Sequence, residues 1–385
     1  MISEIQNAVI KDGDNALRYY TEKFDGVKIT GIAAPKSGKS VSKEYISALK
    51  RAKKNIEAFH RQQLPKNWRK KNGDTWFGLQ WSAISSVGLY VPGGRAVYPS
   101  TVLMNAIPAK LAGVERIVMV TPPQPDGSIP AAILAAAELC GINEIYRVGG
   151  AQAIFALAYG TKTIRKVDKI VGPGNKYVTA AKQMVFGTVG IDKPAGPSEV
   201  CVYIKEGKYA AFAAAEMLAQ MEHDPDAIAI AVSEKKDVLA KVQTELNKQL
   251  PNCKRKAIIE QSMKNTRLIA SNDPVKTMNE IASEHLVLMV DDYEKLLPKI
   301  KHAGAIFCGP YTPVTLGDYI AGPNHVLPTA GAARFSSPLG VWDFVKASTV
   351  LHYSKSALQR LSSDIALLTD MEGLDAHHLA VKHRL

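Results

Sequence analysis

Cysteine, long apolar runs and nucleotide-binding signatures are all scarce in this chain. Its four cysteines, Cys140, Cys201, Cys253 and Cys308, are spread over 385 residues without a C-x-x-C pair. That spacing argues against a disulfide framework or a thiolate zinc site and fits a reducing compartment. Cys140, Cys201 and Cys308 lie in apolar surroundings and read as core thiols. No stretch reaches the roughly 18 uncharged apolar residues that span a bilayer; the richest, from Ile129 to Ile142, is interrupted by Glu138. The start, Met-Ile-Ser-Glu-Ile-Gln-Asn, lacks the basic residues and apolar block of a signal peptide. A cytoplasmic protein without a membrane partner is expected. The dinucleotide pattern G-x-G-x-x-G is absent. Ser37-Gly38-Lys39-Ser40 resembles the end of a P-loop, but Ala33 stands where a glycine is required and no strand precedes it, so it reads as a plain loop.

What the chain does contain is an ordinary globular balance, 46% hydrophobic and 22% charged, and a length suited to two or three domains. The net charge of +12 is concentrated between Lys50 and Lys71, where Glu57 is the single acid, and Trp76 and Trp81 follow. Basic charge with aromatics can bind nucleic acid. Here Ile46, Leu49, Ala52, Ile56 and Phe59 recur every three or four residues. The spacing predicts one amphipathic helix with a solvated basic face, and no nucleic-acid partner is expected.

The first 80 or so residues read as mostly helical, with a segment from Asp14 to Phe24 closed by Asp25-Gly26. From Gly88 onward, short β-branched runs alternate with Ala-rich helical stretches. The runs are Ile117–Val120, Ile145–Val148 and Lys169–Val171; the helices are Ala131–Leu139 and Ala151–Tyr159. A second series begins at Val200–Ile204 and continues through Ile228–Val232, Leu286–Val290 and Ala305–Phe307. This alternation predicts an α/β protein with two Rossmann-like halves, and the tail after about Val341 returns to helix. Three Gly-rich turns follow predicted strands: Pro92-Gly93-Gly94, Gly149-Gly150-Ala151-Gln152 and Gly172-Pro173-Gly174-Asn175. Open α/β sheets bind ligands at such strand ends, and helix N-termini suit anions. Together they favour a nucleotide or phosphate ligand.

Polar residues that look out of place cluster in the second half. Glu216, Gln220 and His223 share one helix face, and Gln220 and His223 could reach one ion. Glu216 reads as supporting or solvent-facing. Ser283-Glu284-His285 opens a strand with an acid beside an imidazole, and Gly317 to His325 reads as a loop carrying Asp318 and His325. Glu372-Gly373-Leu374-Asp375-Ala376-His377-His378 adds further acids and imidazoles. Nitrogen and oxygen donors without thiolate suit a catalytic zinc or a manganese.

These stretches resemble the histidinol dehydrogenase family. The resemblance runs from Asn55-Ile56-Glu57-Ala58-Phe59-His60 to the carboxyl terminus. It is strongest in Val87–Arg95, Gly149–Ile154, Ala195-Gly196-Pro197-Ser198-Glu199 and Gly317–Thr329. It implies NAD-dependent, four-electron oxidation of L-histidinol through L-histidinal to L-histidine. It places zinc ligands on Gln220, His223, Asp318 and His377, and the acid–base pair on Glu284 and His285. It places substrate contacts on Ser198, His325 and Glu372, besides His285 and the metal ligands, and NAD contacts on Tyr90, Gln152 and Asn175. The implied architecture is an aldehyde-dehydrogenase-like pair of Rossmann-like domains in an intertwined homodimer. Residues 1–89 and 200–342 would form the catalytic, metal-binding domain and 90–199 an inserted NAD-contacting domain. A helical tail, 343–385, would carry Glu372 and His377 across to the partner. His60, His302, His352, His378 and His383 match no functional position and read as surface or capping residues.

Several positions depart from the family pattern. Ser283 stands where proline is expected before Glu284-His285, Val287 where a glutamate is expected, and Lys193-Pro194 interrupts an expected apolar pair. The segment expected ahead of Asp14 is short, and the basic balance is unusual. An alternative reading is a related zinc- and NAD-dependent dehydrogenase of another amino or hydroxy alcohol. Intact Ser198, His325 and Glu372 favour histidinol. A basic, non-enzymatic binding protein on the same fold is disfavoured by the retained ligand and base positions.

Overall fold

The computed structural model describes residues 2–34, 41–93, 97–194 and 196–385. The Ser37-Gly38-Lys39-Ser40 stretch and residues Gly94, Arg95 and Ala195 lie outside them. In chain order, α1 (Ile2–Asp12), α2 (Asp14–Asp25) and α3 (Lys43–Arg61) precede β1 (Trp68–Asn72) and β2 (Thr75–Ala83). Next come β3 (Ser86–Tyr90), α4 (Pro99–Ala112), β4 (Arg116–Val120), α5 (Ala131–Leu139), β5 (Glu144–Tyr146), α6 (Gly150–Tyr159), β6 (Lys169–Val171), α7 (Lys176–Val185) and β7 (Gly190–Ile191). A second series has β8 (Glu199–Ile204), α8 (Ala210–Met221), β9 (Ile228–Ser233), α9 (Lys236–Gln249), α10 (Lys256–Ser262), β10 (Arg267–Ala270), α11 (Pro274–Ile281), β11 (His285–Met289), β12 (Ala305–Cys308) and α12 (Val314–Tyr319). The chain ends in β13 (Val345–Tyr353), α13 (Lys355–Met371) and α14 (Asp375–Lys382).

The two series build two five-stranded parallel sheets, ordered β5-β4-β3-β6-β7 and β10-β9-β8-β11-β12. Strands β3 and β11 are buried along their whole length, as their unbroken apolar runs require between two helical layers. Both sheets belong to one compact unit, residues 1–63 and 84–344. Residues 64–83 and 345–385 form a second unit, an antiparallel sheet β1-β2-β13 with α13 and α14. Among the described residues no helix is long and apolar enough to cross a membrane.

Three local expectations differ from the structure. The amino-terminal 80 residues include the β1–β2 hairpin, and the tail begins with β13, paired with β2 from Val345↔Ala83 to Tyr353↔Thr75. Strand β1 is exposed throughout and β13 nearly so, so neither carries the apolar alternation by which a half-buried strand is read. A boundary at residues 89/90 falls inside β3, which is the centre of the first sheet. Helices α1 and α2 pack Ile5, Val9 and Leu17 onto that sheet's core, and α3 packs Leu49, Ala52 and Ile56 beside α4 and α5. Val326, Leu339 and Phe344 join the same core. An apolar helix face records that it is covered, not which sheet covers it.

Helix α3 follows its predicted period with one change at its end. Phe59 is exposed, and the fully buried residue of the last turn is His60. Its Nδ1–H donates to the Ile56 carbonyl at 2.9 Å, and its Nε2 lies 3.4 Å from the Asn324 amide nitrogen. Thus His60 is a core residue rather than a surface one.

Candidate active site

The amino-terminal edge of the second sheet gathers most of the residues singled out above. Strands β8 and β11 begin there, at Glu199 and His285. Helix α8 runs back antiparallel to them and delivers Gln220 and His223 at its end. Glu284 lies one residue ahead of β11. Ala282, with φ 51°, turns the chain out of α11, so Glu284 is free of the alternation that would send it away from His285. Both side chains are buried, with Glu284 Oε2 3.6 Å from His285 Nδ1.

The His285 Nδ1 lies 3.1 Å from the Glu199 carbonyl oxygen. A carbonyl can only accept, so Nδ1 carries a proton. Its Nε2 is buried without a hydrogen bond, 3.7 Å from Asp318 Oδ1. The Ser283 hydroxyl donates to the His285 carbonyl at 2.9 Å and ties the turn to the strand.

Asp318 stands near the end of α12 rather than in a loop. Pro313 and Val314 start that helix, and Glu216 Oε2 accepts the Val314 N–H at 3.2 Å. Glu216 therefore braces the element that presents Asp318. Seven residues on, His325 donates from Nδ1 to the Asp318 carbonyl at 3.0 Å. The His325 segment is anchored through Asn324, whose amide donates to the Met104 carbonyl at 2.6 Å and whose Oδ1 accepts the Val326 N–H at 2.9 Å. Asn55 donates to the Ile320 carbonyl at 2.8 Å. The site thus joins a helix on the second core to a loop on the first.

Burial dominates the electrostatics. It pushes the Glu284 carboxyl up to about 7, with neighbouring Glu199 and Asp318 adding to the rise. Burial opposes charge on His285, but Glu284 and Asp318 outweigh it and lift the imidazole to about 9. Burial holds His223 and His325 below the usual imidazole range, so both favour the neutral form. Burial disfavours the Asp318 carboxylate too, yet the His285, His325 and His223 rings keep it below its ordinary value.

Could these residues hold a metal? Among the described residues no three His, Cys, Asp or Glu side chains stand together as a metal cluster. The donor set is instead one neutral imidazole (His223), one carboxylate (Asp318) and the amide of Gln220. That amide is 2% exposed, with its Nε2 buried and unpartnered. A half-turn would present its carbonyl oxygen instead. This is a partial set that fits zinc and leaves positions for other donors.

The first sheet offers its carboxyl edge. Tyr90 ends β3, and its hydroxyl accepts the Gly150 N–H at 3.2 Å where α6 opens. Gln152, one turn in, is fully buried with neither amide atom partnered. Such an orphaned amide costs about 1–3 kcal/mol and marks a place where a ligand would satisfy it. The backbone is closely packed there. A Cβ on Gly149 would stand 2.7 Å from the Pro122 ring, and one on Gly172, at φ 111°, would stand 2.1 Å from the Tyr90 carbonyl oxygen. Asn175 is exposed, and its Oδ1 caps α7 by accepting the Tyr177 and Val178 N–H groups. Ser198 is partly exposed beside β8, and Glu372 and His377 are exposed in the second unit.

Comparison with known proteins decides the family. The family model described as histidinol dehydrogenase matches residues 1–385. The chain belongs to the histidinol dehydrogenase family. Histidinol dehydrogenase from Synechococcus sp. is 47% identical over 395 residues, covering 100% of this chain and 91% of its own. That from Listeria monocytogenes is 48% identical over 393 residues, covering 100% and 92%. The crystal structure of histidinol dehydrogenase from Elizabethkingia anophelis superposes with a TM-score of 0.94 at 38% identity, covering 100% of this chain and 91% of that one. Betaine aldehyde dehydrogenase from Staphylococcus aureus, at 13% identity and TM-score 0.54, covers 91% and 82%. It shares the fold alone, which bears out the aldehyde-dehydrogenase-like arrangement. Membership of the histidinol dehydrogenase family makes this an oxidoreductase of the NAD-dependent dehydrogenase type and leaves the other-alcohol alternative without support.

Sequence reasoning underrated three residues around this histidinol dehydrogenase site. His60 and Asn324 brace the His325 segment, and Glu199 touches both Glu284 and His285. A polar residue on the apolar face of α3 was the available signal for His60. Little local signals Asn324, whose amide nitrogen finds His60 and Met104 more than 200 residues away.

Proposed function

We propose that this chain oxidises L-histidinol through L-histidinal to L-histidine. The overall change is R–CH2OH + 2 NAD+ + H2O → R–COO− + 2 NADH + 3 H+. The observation that carries this reading is the buried Glu284–His285 pair, with His285 Nε2 free of a hydrogen bond and 3.7 Å from Asp318 Oδ1. Loss of the first hydride requires a base for the alcohol proton. His285 Nε2 is the candidate, because Nδ1 is committed to the Glu199 carbonyl. The neighbouring carboxylates hold the ring charged at neutral pH, so Nε2 must first shed its proton, and the ring once deprotonated is the stronger base. The second oxidation requires water to add to the aldehyde, and Glu284 would take its proton. A carboxyl raised to about 7 accepts and returns a proton readily near neutral pH.

Gln220, His223 and Asp318, with the partner subunit's His377, would hold zinc. Zinc bound there would orient the amino alcohol through its amine and imidazole nitrogens. Ser198, His325 and the partner subunit's Glu372 would contact the substrate. Tyr90, Gln152 and Asn175 would contact NAD, which supplies the hydride acceptor. The homodimer is supported by the apolar residues that α13 and α14 expose, among them Leu367, Leu368, Met371 and Leu379. A cytoplasmic location suits such an enzyme and its unpaired thiols.

The test is NADH yield from limiting L-histidinol, before and after chelation and after zinc is restored. Two NADH per histidinol, lost on chelation and recovered with zinc, is the expected result. A yield of one would mean that the aldehyde escapes before the second oxidation and would direct suspicion to Glu284 and its neighbour Ser283, and no NADH from a zinc-loaded dimer would overturn the reading.

A further inference from the structure

Glu199 closes the Gly196-Pro197-Ser198-Glu199 run, and the reaction described above uses only its main-chain carbonyl. Its side chain is more specifically engaged. The β8–β11 ladder starts at His285↔Val200. One residue earlier, where the ladder has no backbone pair, the two glutamates exchange bonds. Glu284 Oε2 accepts the Glu199 N–H at 2.9 Å, and Glu199 Oε2 accepts the Glu284 N–H at 3.3 Å. The other Glu199 oxygen, Oε1, accepts the Ala330 N–H at 3.1 Å, at a residue held in the left-handed region with φ 54°. Both oxygens of a largely buried carboxylate are therefore spent on backbone N–H groups. One of these belongs to the residue whose own carboxylate must be aimed.

We propose that the Glu199 side chain is a positioning residue for Glu284, fixing the direction in which that carboxylate meets the water that adds to the aldehyde. This rests on the reading of Glu284 as the base of the second oxidation. It also separates the two half-reactions. His285 Nδ1 and Glu284 Oε2 both meet the Glu199 main chain, which any substitution at 199 retains, whereas the Glu284 backbone N–H and the Ala330 N–H are held by the Glu199 side chain, so a substitution there loosens the backbone from which the Glu284 carboxylate is aimed. A displacement of about 1 Å at a reacting group can cost on the order of 100-fold in rate.

The experiment compares wild type, Glu199→Gln, Glu284→Gln and the double variant as zinc-loaded enzyme. It measures steady-state oxidation of L-histidinal, single-turnover NADH formation from L-histidinol, and the Tm. Glu199→Gln presents one NH2 to a backbone N–H in place of an acceptor. The expected result is a fall of about 10- to 100-fold in kcat for histidinal, with KM within twofold and the first hydride transfer within threefold. In the Glu284→Gln background the same change should have no further effect. Equal losses in both half-reactions, or an undiminished loss in the double variant, would mean a general structural role and overturn the proposal. So would a wild-type rate in Glu199→Gln while Glu284→Gln is impaired. A wild-type histidinal rate in Glu284→Gln would instead overturn the reading of Glu284 itself. If Glu199→Gln has a lowered Tm, Glu199→Asp, which keeps the charge but is too short to reach both N–H groups, must show the same split.

Discussion

Lys182 in α7 and Asp192 just after β7 form an ion pair with side chains only 3% and 2% exposed. The pair grips one residue from both sides. Lys182 Nζ donates to the Gly172 carbonyl at 3.1 Å, and Asp192 Oδ2 accepts the Gly172 N–H at 2.8 Å. Gly172 adopts φ 111° and has no room for a Cβ, so the pair holds the turn that leads to Asn175 in a conformation suited to glycine. Removing one member of a buried pair costs about 3–5 kcal/mol, because the other charge stays behind in the interior. Lys182→Met should fall at the low end, about 3 kcal/mol, since Asp192 keeps the Gly172 N–H. Adding Asp192→Asn retains an acceptor for that N–H and removes the buried charge. The double variant should then cost only about 1–2 kcal/mol. The diagnostic is a sign: the second substitution restores stability lost to the first. Urea unfolding of the three proteins measures it, and NAD titration by protein fluorescence should show several-fold weaker binding in the Lys182→Met protein. A double variant less stable than Lys182→Met, or a Lys182→Met cost below about 1 kcal/mol, would refute the reasoning.

Other consequences follow from buried groups elsewhere. Burial raises Asp25 from its ordinary value to about 6, so its contribution to stability is full below the unfolded value near 3.8 and is lost as pH rises through 6. Asp25→Asn should therefore stabilise by about 1–2 kcal/mol at pH 8, after allowing for partial solvent screening, and by nothing near pH 4. Thermal unfolding at the two pH values checks this. Asn324→Ala strands the Met104 carbonyl and the Val326 N–H, so it should cost about 2–3 kcal/mol. It should also raise KM for histidinol more than it lowers kcat, because it loosens the His325 segment. His60→Ala removes a fully buried ring and should cost about 2–4 kcal/mol in urea unfolding, with a smaller but similar KM effect.

Much of the core was legible because its signals are local. The apolar run of β11 and the Ala-rich run of α5 are recorded in consecutive residues, and Gly26 ends α2 with φ 68° as its position after Asp25 implies. The hairpin β1–β2 and strand β13 were not legible, because with little buried on either face they lack period-two patterning. Of the site, the nearness of Gln220 and His223 was readable from their spacing, but α8 ends at Met221 and His223 lies two residues past it rather than on the helix face. The meeting of Asp318, His285 and His325 was not readable, since it depends on α12 and on the anchorage of Asn324 to α4. A short helix started by Pro313 and held by Glu216 looks like a loop in sequence, because six residues carry too little periodicity to declare it.

The residues proposed for the dinucleotide and for the metal and substrate lie at opposite edges of the two sheets, and helix polarity supplies a reason. At the carboxyl edge of a parallel sheet the connecting helices begin, so N–H groups and positive dipole ends converge there. That suits the phosphates of a dinucleotide, and it is where Tyr90, Gln152 and the Asn175-capped α7 lie. At the amino edge the helices end, and carbonyls and negative dipole ends converge. Helix α8 finishes there just past Gln220, with His223 two residues beyond its end, and Asp318 lies in the last turn of α12. An edge of that polarity favours a cation, whether a metal or a protonated imidazole, and penalises an added anion. It raises the cost of ionising Glu284 beside Glu199 and Asp318, in the same direction as burial does. On the proposed reading the proton-accepting carboxylate and the cation-binding set would share one edge, and the dinucleotide would take the other. The general rule that open α/β sheets bind at their carboxyl ends locates only the second of these.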